Sequence, residues 1–120
     1  MWFWIREIKT KKAIEPVGTL RYAAPEVLAN KLYDSSKIDI FSLGVTLFYL
    51  VNNTSGFNKA TEGDTFYSLI KNENFDNYWD ELSNNGKGIG LSNEFKNIYI
   101  KMVSFNPKNR PSIDEILNSE

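Results

Sequence analysis

Ser36-Lys37-Ile38-Asp39-Ile40-Phe41-Ser42-Leu43-Gly44-Val45-Thr46-Leu47-Phe48-Tyr49-Leu50-Val51 is the stretch on which the fold turns. Its apolar residues do not form one stripe: Ile38, Ile40, Phe41, Leu43, Val45, Leu47, Phe48, Leu50 and Val51 together cover almost every face of a helix. A soluble helix that is apolar all round has to be surrounded by other elements. Periodicity alone also allows a buried strand, but the length of the run favours a helix. Ser36, with Asp39 three residues on, is close to a capping box, and Asn52 and Asn53 supply a stop. The run is too short and too interrupted to span a bilayer, which takes about 20 apolar residues. Asp39 is out of place in it. It reads either as an acid favoured by the helix dipole at the first turn or as a buried acceptor that pins a neighbouring loop, since buried acids are rare unless paired.

Around this post the chain of 120 residues has room for one small domain and one core. Apolar residues make up 42% and aromatic residues 14%, a composition that packs rather than stays disordered. A net charge of -1, from 14 Lys and Arg against 15 Asp and Glu, gives no reason to expect nucleic acid or an anionic membrane as partner. There is no cysteine, hence no disulfide or thiol chemistry, which suits an intracellular, cytoplasmic setting. There is no histidine either, which removes the usual zinc sites and every His-dependent triad from within the chain. No metal site is expected; any metal would sit on oxygen ligands, as magnesium does.

Residues 1–14 form an atypical N-terminal segment. Met1-Trp2-Phe3-Trp4-Ile5 is apolar, and Arg6-Glu7-Ile8-Lys9-Thr10-Lys11-Lys12 is charged. The order of charge and apolar residues is wrong for a signal peptide. The amphipathic length of a membrane-lying helix is also lacking. An extended piece leading into a basic loop is the plainer reading. Pro16, Gly18 and Pro25 mark a loop, with Pro25 suited to the first position of a short helix through Val27 and Leu28. Lys31 to Ser35 is a polar connector.

After the central helix, Asn52 to Gly63 reads as a long polar loop. Asp64 caps a helix whose Phe66, Leu69 and Ile70 share one face. Phe75, Tyr78, Trp79 and Leu82 predict a short packed turn. Gly86-Lys87-Gly88-Ile89-Gly90 faintly suggests a phosphate loop, but no strand precedes it, and a connector accounts for it better. Ser92 caps a helix over Asn93 to Ser104, with Phe95, Ile98, Tyr99 and Met102 as its core stripe. Pro107 and Pro111 break the chain. Ser112 and Glu115 then form a capping box, with Ile113, Ile116 and Leu117 facing inward. No strand pattern or repeat is present, so the predicted fold class is mainly α, with helices packed around a central buried helix at about residues 36–52.

Four islands lie in order along this frame: Gly18-Thr19-Leu20-Arg21-Tyr22-Ala23-Ala24-Pro25-Glu26, Asp39-Ile40-Phe41-Ser42-Leu43-Gly44, Phe105-Asn106-Pro107 and Arg110-Pro111-Ser112. Together they resemble the C-terminal lobe of eukaryotic Ser/Thr protein kinases, from the end of the activation segment to the last helix. Ala24-Pro25-Glu26 matches the family's Ala-Pro-Glu element. The resemblance implies a partial kinase lobe over residues 15–120, with residues 1–14 as an activation-segment remnant. It implies that Glu26 and Arg110 are the family's structural ion pair and that Asp39 is the acid anchoring the catalytic loop. Phe41 stands where the family usually has Trp. Thr19 resembles the threonine that bonds the catalytic Asp and Lys. Thr19, Leu20, Arg21 and Tyr22 resemble the substrate-binding stretch. Phe66 and Tyr67 fall on a helix used for docking. Glu15, four residues before Thr19, stands where many members carry a phosphorylated Thr, and reads either as a phosphate mimic or as a plain solvated glutamate.

The same resemblance shows what the sequence lacks. Phosphoryl transfer needs parts that hold ATP and neutralise its charge. Neither the family's Gly-rich loop with its Lys and Glu nor its His-Arg-Asp occurs in these 120 residues. Where Asp-Phe-Gly belongs stands Trp2-Phe3-Trp4. The expectation is a chain that is inactive alone and binds neither ATP nor Mg2+, cofactors of the intact family. No catalytic residue is assigned. Its partners are then a protein substrate or the missing N-terminal portion of the kinase. The alternatives are a pseudokinase-like protein-binding module and a non-functional gene fragment.

Overall fold

The computed structural model describes residues 22–118, and every element among them is helical. In chain order they are α1 (Pro25–Leu28), α2 (Ser35–Asn52), α3 (Thr65–Lys71), α4 (Phe75–Asn84), α5 (Asn93–Met102), a 3-10 turn at Pro107–Asn109 and α6 (Ile113–Leu117).

The central helix, α2, separates two apolar clusters. Ile38, Phe41, Val45 and Phe48 enter the larger one, with Phe57, Tyr67, Ile70, Tyr78, Leu82 and Tyr99. Ile40 and Leu43 enter the smaller one, with Met102 and Ile116. A helix with two buried faces needs the all-round apolar character read from its sequence. The expectation of burial along its whole length fails at the C-terminal turn, where Tyr49, Leu50 and Val51 are exposed. Both clusters draw on α2 no further along than Leu47 and Phe48.

The start of α2 also differs from the sequence reading. Asp34, not Ser36, is the N-cap: its Oδ1 accepts from the Ser36 backbone N–H at 2.9 Å and from the Ser36 hydroxyl at 2.7 Å. These bonds hold the exposed Asp34 carboxyl below its usual range. The cap sits earlier, so Asp39 falls in the second turn, beyond the dipole of the first. The stop is as expected: Asn53 takes the left-handed conformation, φ 59°, and its N–H bonds to the Tyr49 carbonyl.

α2 and α5 touch at Gly44. A Cβ built there would lie 2.9 Å from Met102 Cβ and 3.0 Å from Val103 Cγ1. The glycine is what lets the two helices approach this closely.

The segment read as a polar loop, Asn52 to Gly63, is partly core. Phe57 and Ala60 are each 3% exposed, and the Phe57 ring lies 4.8 Å from Tyr67. Asp64 ties the segment down. Its Oδ1 caps α3 through the N–H groups of Phe66 and Tyr67, and its Oδ2 accepts from those of Asn58 and Lys59. Beneath the segment, the Tyr78 and Tyr99 hydroxyls pair at 3.0 Å, and Tyr78 donates to the Gly56 carbonyl. A Cβ on Gly56 would sit 2.4 Å from one hydroxyl and 2.5 Å from the other.

Three further readings are corrected. Phe75, Tyr78, Trp79 and Leu82 lie on a ten-residue helix, α4, rather than a short turn. α5 ends at Met102, with Val103 as C-cap, rather than at Ser104. Leu117 is 42% exposed and does not face the core, while Ile116 does. The Ser112–Glu115 capping box and the Ser92 cap form as read.

Burial pushes the hydroxyls of Tyr67, Tyr78 and Tyr99 well above the ordinary tyrosine value. In the unfolded chain they ionise near about 10. Their contribution to stability is therefore complete at neutral pH and is lost as pH rises beyond about 10. Spectrophotometric titration should show these phenolates appearing only with loss of helical circular dichroism; smooth ionisation in the folded protein would contradict their burial. Gly44→Ala should lower stability by about 1–3 kcal/mol through overpacking, read by denaturant unfolding.

Candidate functional site

The polar centre of the molecule is built on Arg110. Pro111 follows it, and a residue before proline is pushed to extended backbone; Arg110 has φ -77° and ψ 132°. That geometry turns its side chain inward, where it is 1% exposed. Glu26 comes from α1, which Pro25 opens at its first position.

The two side chains meet in a bidentate pair. Arg110 Nη1 donates to Glu26 Oε2 at 2.7 Å and Nη2 to Oε1 at 2.9 Å. Nη1 also reaches the Lys37 carbonyl at 3.1 Å, Nε the Ser104 carbonyl at 2.9 Å and Nη2 the Phe105 carbonyl at 3.5 Å. The guanidinium has five N–H donors, and five bonds are made. Its carbon stands 5.0 Å from the centre of the Phe41 ring, a cation over an aromatic face. Lys37 returns a bond from Nζ to the Arg110 carbonyl at 2.8 Å. One side chain thus joins α1, the first turn of α2 and the segment after α5.

A second tie runs beside it. The Ser42 hydroxyl, fully buried on α2, donates to the Tyr22 carbonyl at 2.8 Å. It fixes the chain just ahead of Ala23 and Ala24, which are themselves buried.

The structure places the other candidates as follows. Tyr22 is half-buried against the larger cluster. Thr19, Leu20, Arg21 and Glu15 lie outside the described residues, as does Trp2-Phe3-Trp4. Asp39 is half-buried in the second turn of α2. Phe66 is half-buried, with Lys87 Nζ 5.6 Å from its ring centre. Tyr67 corrects the docking expectation: it is fully buried, donates its hydroxyl to the Val103 carbonyl at 3.0 Å and offers a partner no surface. The sequence reading missed three contributors: Lys37, Ser42 and the Phe41 ring under Arg110. Ser42 carried a signal, being a hydroxyl inside an apolar run. Lys37 carried none, because its partner is 73 positions away.

Among the described residues, no group of three or more His, Cys, Asp or Glu is placed to hold a metal ion. Among them also, no helix is long and apolar enough to cross a membrane.

Comparison with known proteins bears on this arrangement. The model of the protein kinase domain matches residues 5–120. The chain is 34% identical over 108 residues to an SNF-related serine/threonine-protein kinase of Homo sapiens, covering 90% of this chain and 13% of that protein. It is 33% identical over 101 residues to a CBL-interacting serine/threonine-protein kinase of Arabidopsis thaliana, covering 84% of this chain and 20% of that protein. The chain therefore spans a fifth or less of the length of these relatives.

Removing either partner of the buried pair leaves the other charge without compensation. Arg110→Ala and Glu26→Ala should each cost about 3–5 kcal/mol. The double variant should lose clearly less than the sum, as chemical denaturation of the four proteins would show; additive losses would rule out the coupling.

Proposed function

The chain belongs to the protein kinase family, and on that premise we propose that it forms the substrate-side floor of a Ser/Thr protein kinase domain. One observation carries this reading. Glu26 of Ala24-Pro25-Glu26 is held from 84 positions away by a fully engaged Arg110, so the segment after residue 22 is kept at a fixed place against α2.

In this reading Thr19, Leu20, Arg21 and Tyr22 meet the incoming protein substrate. Asp39 anchors the catalytic loop from the second turn of α2. Glu26 and Arg110 touch neither substrate nor nucleotide; they position the loop that does. The reaction of the whole domain is transfer of a phosphoryl group from ATP to a Ser or Thr hydroxyl, a step that depends on positioning and charge neutralisation. Without histidine the 120 residues contain no His-Arg-Asp, and we assign the catalytic base and the ATP and Mg2+ sites to another portion of the domain. By itself the chain transfers no phosphate. Its partners are that portion and a protein substrate. Its setting is intracellular, in keeping with a sequence without cysteine.

A second reading, a protein-binding module without catalysis, is favoured by the exposed apolar turn of Tyr49, Leu50 and Val51.

An antibody to α6 should detect, in the native cells, a species about two to three times 13.8 kDa or larger, the size of a whole two-lobed domain. The purified 120-residue chain, given ATP, Mg2+ and a mixture of protein substrates, should transfer no phosphate, whereas the larger species should. A native species of 13.8 kDa alone would overturn the kinase reading and leave the binding module.

A further inference from the structure

Two apolar rows run along α2. Ile38, Phe41, Val45 and Phe48 enter the larger cluster, and Ile40, Leu43 and Leu47 meet the smaller one. A third row carries Asp39, Ser42, Thr46 and Tyr49, three and four residues apart and so in line along one side of the helix. Each of these bears a polar group. Ser42 is fully buried, Asp39 and Thr46 are half-buried and Tyr49 is exposed.

A serine inside a helix commonly faces water or turns its hydroxyl back to the carbonyl one turn earlier. Thr46 does the latter, donating to the Ser42 carbonyl at 2.9 Å. Ser42 reaches out of its helix: its hydroxyl donates to the Tyr22 carbonyl, 20 positions back, at 2.8 Å. A hydroxyl has a single hydrogen to give. Giving it to a backbone carbonyl fixes the main chain at Tyr22 whatever side chain stands there.

The next anchor along the chain is Glu26, gripped by Arg110. Between the two ties, Ala23 and Ala24 are buried, and their short side chains let the backbone lie against the core. The anchors serve different parts. Glu26 fixes α1. Tyr22 directly follows Thr19, Leu20 and Arg21, so the Ser42 bond is, in sequence, the tie nearest to them among the described residues. Groups that meet a substrate act well only when a supporting shell holds them within about 0.5 Å of place.

On the kinase reading of the chain, we propose that Ser42 is a positioning residue for the substrate-binding stretch. It touches no substrate; by holding the Tyr22 carbonyl it sets where Thr19, Leu20 and Arg21 meet one. Losing its hydroxyl weakens the grip on the protein substrate and leaves the nucleotide unaffected, because the ATP site is assigned to another portion of the domain.

Ser42→Ala, which removes one oxygen and adds no bulk, tests this in two ways. In the 120-residue chain, native-state trypsin digestion read by mass spectrometry follows the bond after Arg21, next to the tie, and the bond after Lys101, inside α5. Cleavage after Arg21 should speed up about fivefold, as loss of one net hydrogen bond implies, and cleavage after Lys101 should not. In the larger native species, KM for a Ser-containing peptide, selected from a library on the unaltered protein, should rise about threefold or more with KM for ATP unchanged. Equal acceleration at both bonds, or at neither, would make Ser42 a residue of the core alone and sink the proposal. An unchanged peptide KM, or an equal rise for ATP, would also sink it while leaving the kinase reading in place. An unaltered larger species that phosphorylates no peptide would remove the kinase reading and the proposal together.

Discussion

A buried arginine bonded to a buried carboxylate is the constraint on which the rest of this molecule depends. Two charges in an apolar interior do not add stability merely by meeting, because each has lost its water. What the Arg110–Glu26 pair supplies is position. The bidentate fork fixes α1 in two directions. The remaining three N–H groups are spent on the carbonyls of Lys37, Ser104 and Phe105. An arginine satisfied on all sides has little freedom to rearrange without stranding several partners. A lysine could not substitute for it, because a single ammonium lacks the planar fork.

The packing of α2 supplies the second half of the frame. The pair can form only if the segment after α5 comes close to the start of α2. Gly44 makes that approach possible, since Met102 and Val103 occupy the space of a side chain there. At the other cluster Gly56 lets the Tyr78 and Tyr99 hydroxyls lie directly under a loop carbonyl. Phe41 links the two systems: one residue of α2 packs against Phe57 and Tyr67 and also lies under the Arg110 guanidinium. Where the resembling family usually has a tryptophan, a phenylalanine still provides the aromatic face.

Local chemistry was legible in the sequence; distant chemistry was not. The caps at Asp64, Ser92 and Ser112 could be read because each acts on backbone N–H groups within three residues. The central helix could be read from an apolar run too dense to face water. The cap at Asp34 was missed because Ser36 offered an equally good cap two residues later. Phe57 and Ala60 were missed because nothing in a short stretch of turn-forming residues marks which of them the fold pulls inward. Phe57 packs against Phe41 and Tyr67, and the Asn58 and Lys59 backbone N–H groups between Phe57 and Ala60 both donate to Asp64 Oδ2. For the site, the Glu26–Arg110 assignment came from resemblance. No periodicity joins residues 84 positions apart, and Lys37 and Ser42, which complete the same centre, had no such guide.

The way polar groups are used also separates frame from chemistry. Reactive centres commonly hold perturbed or imperfectly satisfied groups, because a group already fully engaged has nothing left to offer a substrate. Among the described residues no buried side-chain nitrogen or oxygen lacks a hydrogen-bond partner. Glu26, Ser42 and Arg110, each buried, are bound to the protein's own backbone or to one another. The hydroxyls of Tyr67, Tyr78 and Tyr99 are held neutral by burial and bonded inward. Such groups orient a loop or close a core; none is poised to accept a proton from a substrate. Groups with unused hydrogen-bonding capacity lie on the surface instead, where Asp76, Asp80, Asn97 and Lys101 are exposed. The interior commits its polar atoms to architecture, and that is what keeps α1, the start of α2 and the segment after α5 at fixed places.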